Sequence, residues 1–308
     1  ICSFWTDALI TINHEDLTLA ERHLHAKHTF YVPGVGIDTA HFLNASPNRL
    51  QLRRELDIPE KAVLLLSVGE LNENKNQSLV IRALAETGRR DIFYALAGTG
   101  PCKEALQTLA VSLGIETQVR FLGYRTDTAA LYKTADLFVH PSYREGLPVA
   151  VIEAMAAGLP CLCSRIRGNT DLIDSNGGAF FDPHCQESFI GALYQLLSAD
   201  TASMSRHNAQ AALAYDVQKI NASLFEWVIE NLSKNAVDAM GGKVGRITLR
   251  VEETDKCAVI EVSDTGKGIK RKDLNNVFRP GFTTKERGWG LGWLFDGDCI
   301  MLCRCLCG

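Results

Sequence analysis

Apolar positions over the first two thirds of the chain come as short continuous runs separated by stretches with a three-to-four-residue repeat. Residues 62–68 (Ala-Val-Leu-Leu-Leu-Ser-Val) and 92–97 (Ile-Phe-Tyr-Ala-Leu-Ala) are two such runs, the pattern of strands covered on both faces of a parallel sheet. Residues 119–122, 137–139 and 160–163 continue the series, and 8–12 and 29–32 read as shorter strands before it. Helical patterns fall between them: 13–25, 76–86, 102–113, a helix starting at Thr128, one with Pro148 near its first turn, and closing helices over 193–215. The alternation predicts a doubly wound, Rossmann-like α/β domain with ligands at the carboxyl ends of its strands.

Near Asn221 the pattern changes. Residues 224–240 predict an amphipathic helix with Leu224, Phe225, Val228, Ile229, Leu232, Ala236, Val237 and Met240 on one face. Asn231, Asn235 and Asp238 recur at i, i+4 and i+7, a polar stripe that taken alone reads as a solvated face. Residues 246–251 and 257–262 alternate like two antiparallel strands joined by a polar turn. A second, α+β unit is expected here.

Composition narrows the function classes. A hydrophobic content of 46% with 22% charged residues is that of a soluble globular chain. The net charge of −4 leaves no basic excess for nucleic acid or an anionic membrane. No apolar run approaches the roughly 18 residues of a membrane span. The first residues lack both an initiating Met and the basic-then-apolar layout of a signal peptide, so the chain is expected to begin mid-protein and to be cytoplasmic. Cys102, Cys161, Cys163, Cys185 and Cys257 read as reduced, buried thiols. Cys299, Cys303, Cys305 and Cys307 crowd residues 293–308, where a zinc site would need a second ligand pair or a His that is absent; this stretch reads as an aberrant, out-of-frame tail.

Candidate chemistry concentrates at residues 140–160. A strand ending at His140 leads into a loop with Glu145, Gly146 and Leu147, and Glu153 follows on the next helix. Backbone N–H groups at a helix start form an anion site of the kind that holds a pyrophosphate. Taken singly, Glu145 is a solvated loop acid, Glu153 a surface acid and His140 a packed strand-end residue. Together, Pro141-Ser-Tyr-Arg-Glu145-Gly and Glu153-Ala-Met-Ala-Ala-Gly-Leu-Pro160 resemble the E-x7-E region of family 4 retaining glycosyltransferases.

That resemblance covers roughly residues 1–218. It implies a GT-B fold with residues 31–220 as a nucleotide-sugar donor domain and residues 1–30 as the remnant of an acceptor domain. It also implies a donor linked to UDP or GDP, no metal cofactor, and a peripheral membrane contact through a lipid-linked acceptor. By the same resemblance Glu145 holds the donor sugar, Glu153 the ribose, and Lys75 meets the pyrophosphate. Gly69, Glu70, Gly98, Gly100, Arg125, Gly146 and Leu147 border the donor. Many relatives carry Arg directly after the first glycine of the 69–76 loop, where this chain has Glu70.

The second unit carries its own resemblance. Asn231 and Asn235, Asp264-Thr-Gly266-Lys-Gly268, the 277–285 stretch ending in Lys285, and Gly288-Trp-Gly290-Leu-Gly292 are similar, in order, to the N, G1, F and G2 boxes of the histidine-kinase (GHKL) ATP-binding domain. The resemblance implies ATP held with Mg2+ through Asn235, assisted by Asn231. Asp264 would take the adenine amino group, Gly266 and Gly268 would allow close backbone approach, and Lys285 would meet a phosphate beside the lid glycines Gly288, Gly290 and Gly292. Residues 221–292 then form a partial ATPase sandwich. Three functions follow: a glycosyltransferase in cell-surface polysaccharide synthesis, an ATP-binding kinase module, or a non-catalytic chimera of two partial genes that binds nucleotide.

Overall fold

The computed structural model describes residues 8–26, 28–253 and 258–268. In chain order the elements are β1 (Ala8–Thr11), α1 (His14–His23), β2 (His28–Tyr31), α2 (Thr39–Leu43), α3 (Arg49–Glu55), β3 (Val63–Val68), α4 (Gln77–Thr87) and β4 (Ile92–Ala97). There follow α5 (Lys103–Ser112), β5 (Val119–Gly123), α6 (Thr128–Thr134), β6 (Leu137–His140), α7 (Val149–Ala156), β7 (Cys161–Ser164), α8 (Asn169–Leu172) and β8 (Gly178–Phe181). The series closes with α9 (Gln186–Leu197), α10 (Thr201–Ala212), α11 (Val217–Met240), β9 (Ile247–Glu253) and β10 (Ala258–Asp264).

Residues Ile12–Glu15 and Pro33–Ile220 form one compact unit. Its sheet has six parallel strands in the order β5-β4-β3-β6-β7-β8, the doubly wound order expected from the alternation. Each central strand feeds two apolar layers because successive side chains point to opposite faces. Leu64 and Leu66 of β3, Phe93 and Ala95 of β4 and Phe138 of β6 pack with α2, α3, α6 and α7 on one side. Leu65, Tyr94, Leu96, Leu137 and Val139 pack with α4, α5 and α9 on the other. Full burial of each such leucine contributes about 1.5–3 kcal/mol, which makes these layers the source of the unit's rigidity.

Pro148, expected near the first turn of α7, is the residue that caps its start. One detail differs from the sequence expectation. Cys161 and Cys163 are buried, but Cys102 and Cys185 are only half-buried, because both stand at helix N-termini, Cys185 accepting from the Ser188 N–H. Cys257 and the tail cysteines lie outside the described residues.

The described parts of residues 1–11, 16–32 and 221–308 fall in a second unit. There β1 and β2 pair in parallel, and β9 pairs antiparallel with β10 from Ala258 opposite Glu253 to Asp264 opposite Ile247. On α11 Ile220 and Ala236 are buried, whereas Phe225 and Val237, assigned to its apolar face from periodicity, are exposed.

Candidate functional site

Reversal of strand order between β3 and β6 makes this the switch point of the sheet, where loops diverge and a crevice opens at the carboxyl ends. The loop after β3, residues 69–76, supplies Lys75. The loop after β6, residues 141–148, supplies Glu145. Across the crevice the Lys75 Nζ donates to Glu145 Oε1 at 2.7 Å, and both side chains are largely covered, 24% and 14% exposed. The two loops are also stitched by Asn74, whose carbonyl accepts from the Tyr143 N–H at 2.8 Å and whose amide donates to the Arg144 carbonyl at 2.9 Å. Asn76, in the left-handed conformation at φ 50°, donates to the carbonyls of Pro141 and Pro183.

Glu145 has a second partner on the same oxygen: His140 Nε2 lies 3.1 Å from Oε1. Burial alone would raise the Glu145 pKa, but hydrogen bonds from His140, Lys75 and Ser142 reverse this and bring it down to about 2. Burial pushes the His140 imidazole below its ordinary value, with Glu145 opposing. At neutral pH the pair is therefore a carboxylate and a neutral ring whose Nε2–H donates. Behind it, Ser142 Oγ is 3.3 Å from His140 Nε2, Ser164 Oγ donates to the Ser142 carbonyl at 2.6 Å, and Asn169 Nδ2 donates to the Ser164 carbonyl at 2.9 Å.

Glu153 points inward from α7 rather than lying on a solvated face. Its Oε2 accepts from the Tyr132 hydroxyl at 2.8 Å, and burial raises its pKa while that hydrogen bond opposes the rise. Gly146 presents its carbonyl to Asn13 Nδ2 at 3.2 Å. Leu147 packs over Gly34, where an added Cβ would meet it at 2.9 Å.

Two of the glycines expected to border the donor also meet a backbone constraint. A Cβ on Gly98 would sit 1.9 Å from the Gly69 carbonyl oxygen, and one on Gly100 would sit 2.4 Å from that of Leu71. Both are required because the 69–71 and 98–100 backbones run side by side, joined by Leu71 N–H to Thr99 O at 2.9 Å. Glu70 is exposed and accepts from Asn72 Nδ2 at 2.8 Å. Arg125 follows β5, at the sheet edge, and its guanidinium is engaged by Asp127 at 2.7 and 2.5 Å; the structure does not bring it to the Lys75–Glu145 pair. An open groove of about 470 Å³ between α4 and α5 shares Asn72, Glu73 and Asn76 with the Lys75 loop but includes neither Lys75 nor Glu145.

In the second unit Asp264 Oδ1 accepts from the Gly266 N–H at 2.8 Å, so the carboxylate expected to meet adenine closes its own turn. Gly266 packs on α11, where a Cβ would lie 2.5 Å from the Ala239 carbonyl carbon, and Gly268 adopts φ +64°. Asn231 and Asn235 lie on α11 at positions whose side chains fall outside the described part. Lys285, Gly288, Gly290 and Gly292 lie outside the described residues.

A charged pair spanning the switch point of a parallel sheet defines a ligand-binding α/β domain. Residues 48–213, more than half of the chain, match the family described as Glycosyl transferases group 1. The chain belongs to that family. It is 36% identical over 182 residues to the putative glycosyltransferase EpsD of Bacillus subtilis, covering 58% of this chain and 48% of that one. It is 32% identical over 241 residues to the D-inositol 3-phosphate glycosyltransferase of Salinispora tropica, covering 72% and 48%. The chain thus spans about half the length of the curated relatives it matches. The structure of HepE from Anabaena, in complex with UDP and glucose, superposes with a TM-score of 0.66 at 24% identity, over 73% of this chain and 63% of that one, which establishes the GT-B fold. Residues 221–294 match the family described as Histidine kinase-, DNA gyrase B-, and HSP90-like ATPase.

Proposed function

We propose that residues 31–220 are the donor-binding domain of a retaining, family 4-type glycosyltransferase, with residues 1–30 belonging to its acceptor domain. It transfers a sugar from a UDP- or GDP-linked donor to a lipid-linked acceptor, in cytoplasmic steps of cell-surface polysaccharide synthesis. The observation that carries this reading is the Lys75–Glu145 contact of 2.7 Å between the two loops at the switch point. HepE, solved with UDP and glucose, supports the donor class.

In this reading the pyrophosphate charge that grows as the glycosidic bond breaks is taken up by Lys75 and by the free N–H groups at the start of α7. Glu145 accepts from hydroxyls of the donor sugar, and Glu153 from the ribose. No metal has a part in the transfer. Calorimetric titration of the full chain with UDP and GDP tests this. Lys75→Met is expected to weaken binding of the preferred nucleotide about ten- to a hundredfold, the worth of a charge-assisted hydrogen bond. Failure of the wild-type chain to bind either nucleotide, or equal binding by the variant, would sink the reading.

For the second unit, ATP binding is supported by the family match over residues 221–294 and by the close packing of the 264–268 turn on α11. Asp264 then receives the adenine amino group on its remaining oxygen. Asn235 would hold the Mg2+ that accompanies ATP. Titration with ATP–Mg2+ tests this half separately. Should no nucleotide bind either unit, the reading as a nucleotide-binding chimera fails as well, and the motifs are ancestry without present function.

A further inference from the structure

We propose that His140 is a positioning residue for Glu145, holding its carboxylate in place for the donor sugar when Lys75 is drawn to the donor's pyrophosphate. The inference rests on the donor-binding reading above. Lys75 and His140 bind the same oxygen of Glu145, Oε1, yet they differ in what competes for them. Lys75 reaches across from the other loop on a flexible four-carbon stem, is partly exposed, and is a point charge that a phosphate attracts. His140 closes a buried strand, is 3% exposed, and is neutral, so an incoming anion has no hold on it.

The ring is held by its neighbours on one face and at Nε2. Phe138 stacks on it at 6.0 Å between centroids with planes 21° apart. Ser142 Oγ contacts Nε2, and Ser142 is itself held through Ser164 to Asn169, all three wholly buried. The charged groups facing the ring are Glu145 and Lys75. A hydrogen bond from such a ring constrains the carboxylate without adding a positive charge that would compete for the pyrophosphate. It thereby keeps Glu145 oriented at the step where its other partner changes allegiance. A buried strand-end histidine that only filled space would need no such contact.

The test separates sugar recognition from nucleotide recognition. Full-length wild type, His140→Leu, His140→Gln and His140→Asn are titrated with UDP and UDP-glucose, and with GDP and GDP-mannose, under one buffer condition. For the pair the wild type binds, His140→Leu is expected to lose the affinity the sugar adds, on the order of tenfold, while the affinity for the bare nucleotide stays at the wild-type value. His140→Gln places an amide N–H near the Nε2 position and restores the sugar increment; His140→Asn is too short and does not. The Gln–Asn comparison stands even if the Leu variant fails to fold. Equal weakening of nucleotide and nucleotide sugar, or an unchanged sugar increment in Leu and Asn, overturns the proposal alone. A wild type that binds none of the four ligands removes the donor-binding reading, and the proposal with it.

Discussion

Replacing Gly98 by Ala tests whether two loop backbones, rather than a ligand, require the glycine. An ideal Cβ there would lie 1.9 Å from the Gly69 carbonyl oxygen, against 3.4 Å for ordinary contact. The strands' ends would have to part by about 1.5 Å, since neither neighbour is the free end of a side chain. Parting them strains the bonds from Gly69 N–H to Ala97 O at 3.0 Å and from Gly98 N–H to Gly123 O at 2.7 Å. Overpacking of this kind costs about 1–3 kcal/mol, and the φ of +155° adds about 1–3 kcal/mol for a residue with a side chain. Gly114→Ala is the control, because Gly114 has φ +65° with nothing within 4 Å of the added Cβ. It costs backbone strain alone, about 1–2 kcal/mol. At roughly 2–4 °C per kcal/mol for a unit of this size, Gly98→Ala should lower Tm clearly further than Gly114→Ala. The near-UV circular dichroism of tyrosine is the probe to use. Trp5, Trp227, Trp289 and Trp293 all lie outside Pro33–Ile220, whereas Tyr94 and Tyr132 are buried within it. Equal Tm losses in the two variants would refute the backbone contact as the reason for glycine at position 98.

Two further predictions concern charge. Glu145, held at about 2 against an ordinary 4.5, binds a proton in the unfolded chain before it does so in the folded one. Its contribution is therefore fully present above about pH 4.5 and lost as pH falls toward 2, at most about 3 kcal/mol. Urea unfolding at pH 6 and pH 3 should show a smaller acid loss in Glu145→Gln than in wild type, and identical losses would contradict the assignment. Asp136 neutralises Arg53, whose side chain is 2% exposed and donates to the carbonyls of Pro59, Glu60, Ala62 and Thr134. Asp136→Ala strands that buried charge and should cost about 3–5 kcal/mol, with part of the loss recovered in the double variant with Arg53→Met; a loss below about 1 kcal/mol would mean the guanidinium finds water instead.

What could be read from sequence follows from how each signal is encoded. Strands β3 and β4 stood out because all their positions but Ser67 are apolar, and the helices after them because their period is local. β8 did not, since Gly178-Ala-Phe-Phe is too short to carry a period. α2 and α3 are five and seven residues long, although Asp38 and Asn48 accept N-terminal N–H groups at 2.9 and 3.1 Å, a capping signal that points to both. At the site, the spacing of Glu145 and Glu153 was legible because one loop and one helix hold both. The meeting of Lys75 with Glu145, 70 positions apart, depends on sheet order. Tyr132 reaches Glu153 only through the packing of α6 on α7, and a single histidine at a strand end carries no mark of what it will face. The glycine pattern was visible but ambiguous, because a phosphate and a neighbouring backbone both demand the absence of a Cβ.

The same topology explains why the charged pair sits where it does. From the switch point α4 leaves toward the layer of Leu65 and Tyr94, and α7 toward the layer of Leu64 and Phe138. Loops that diverge in this way open a gap, and Lys75 and Glu145 face each other across it. The unit is held chiefly by the two apolar layers beneath. The loops are nonetheless fixed to each other through Asn74 and Asn76, whose bonds run to backbone carbonyls and do not depend on the pair. Lys75 is therefore free to exchange Glu145 for an anion without loosening the frame, the condition a preorganised anion site must meet.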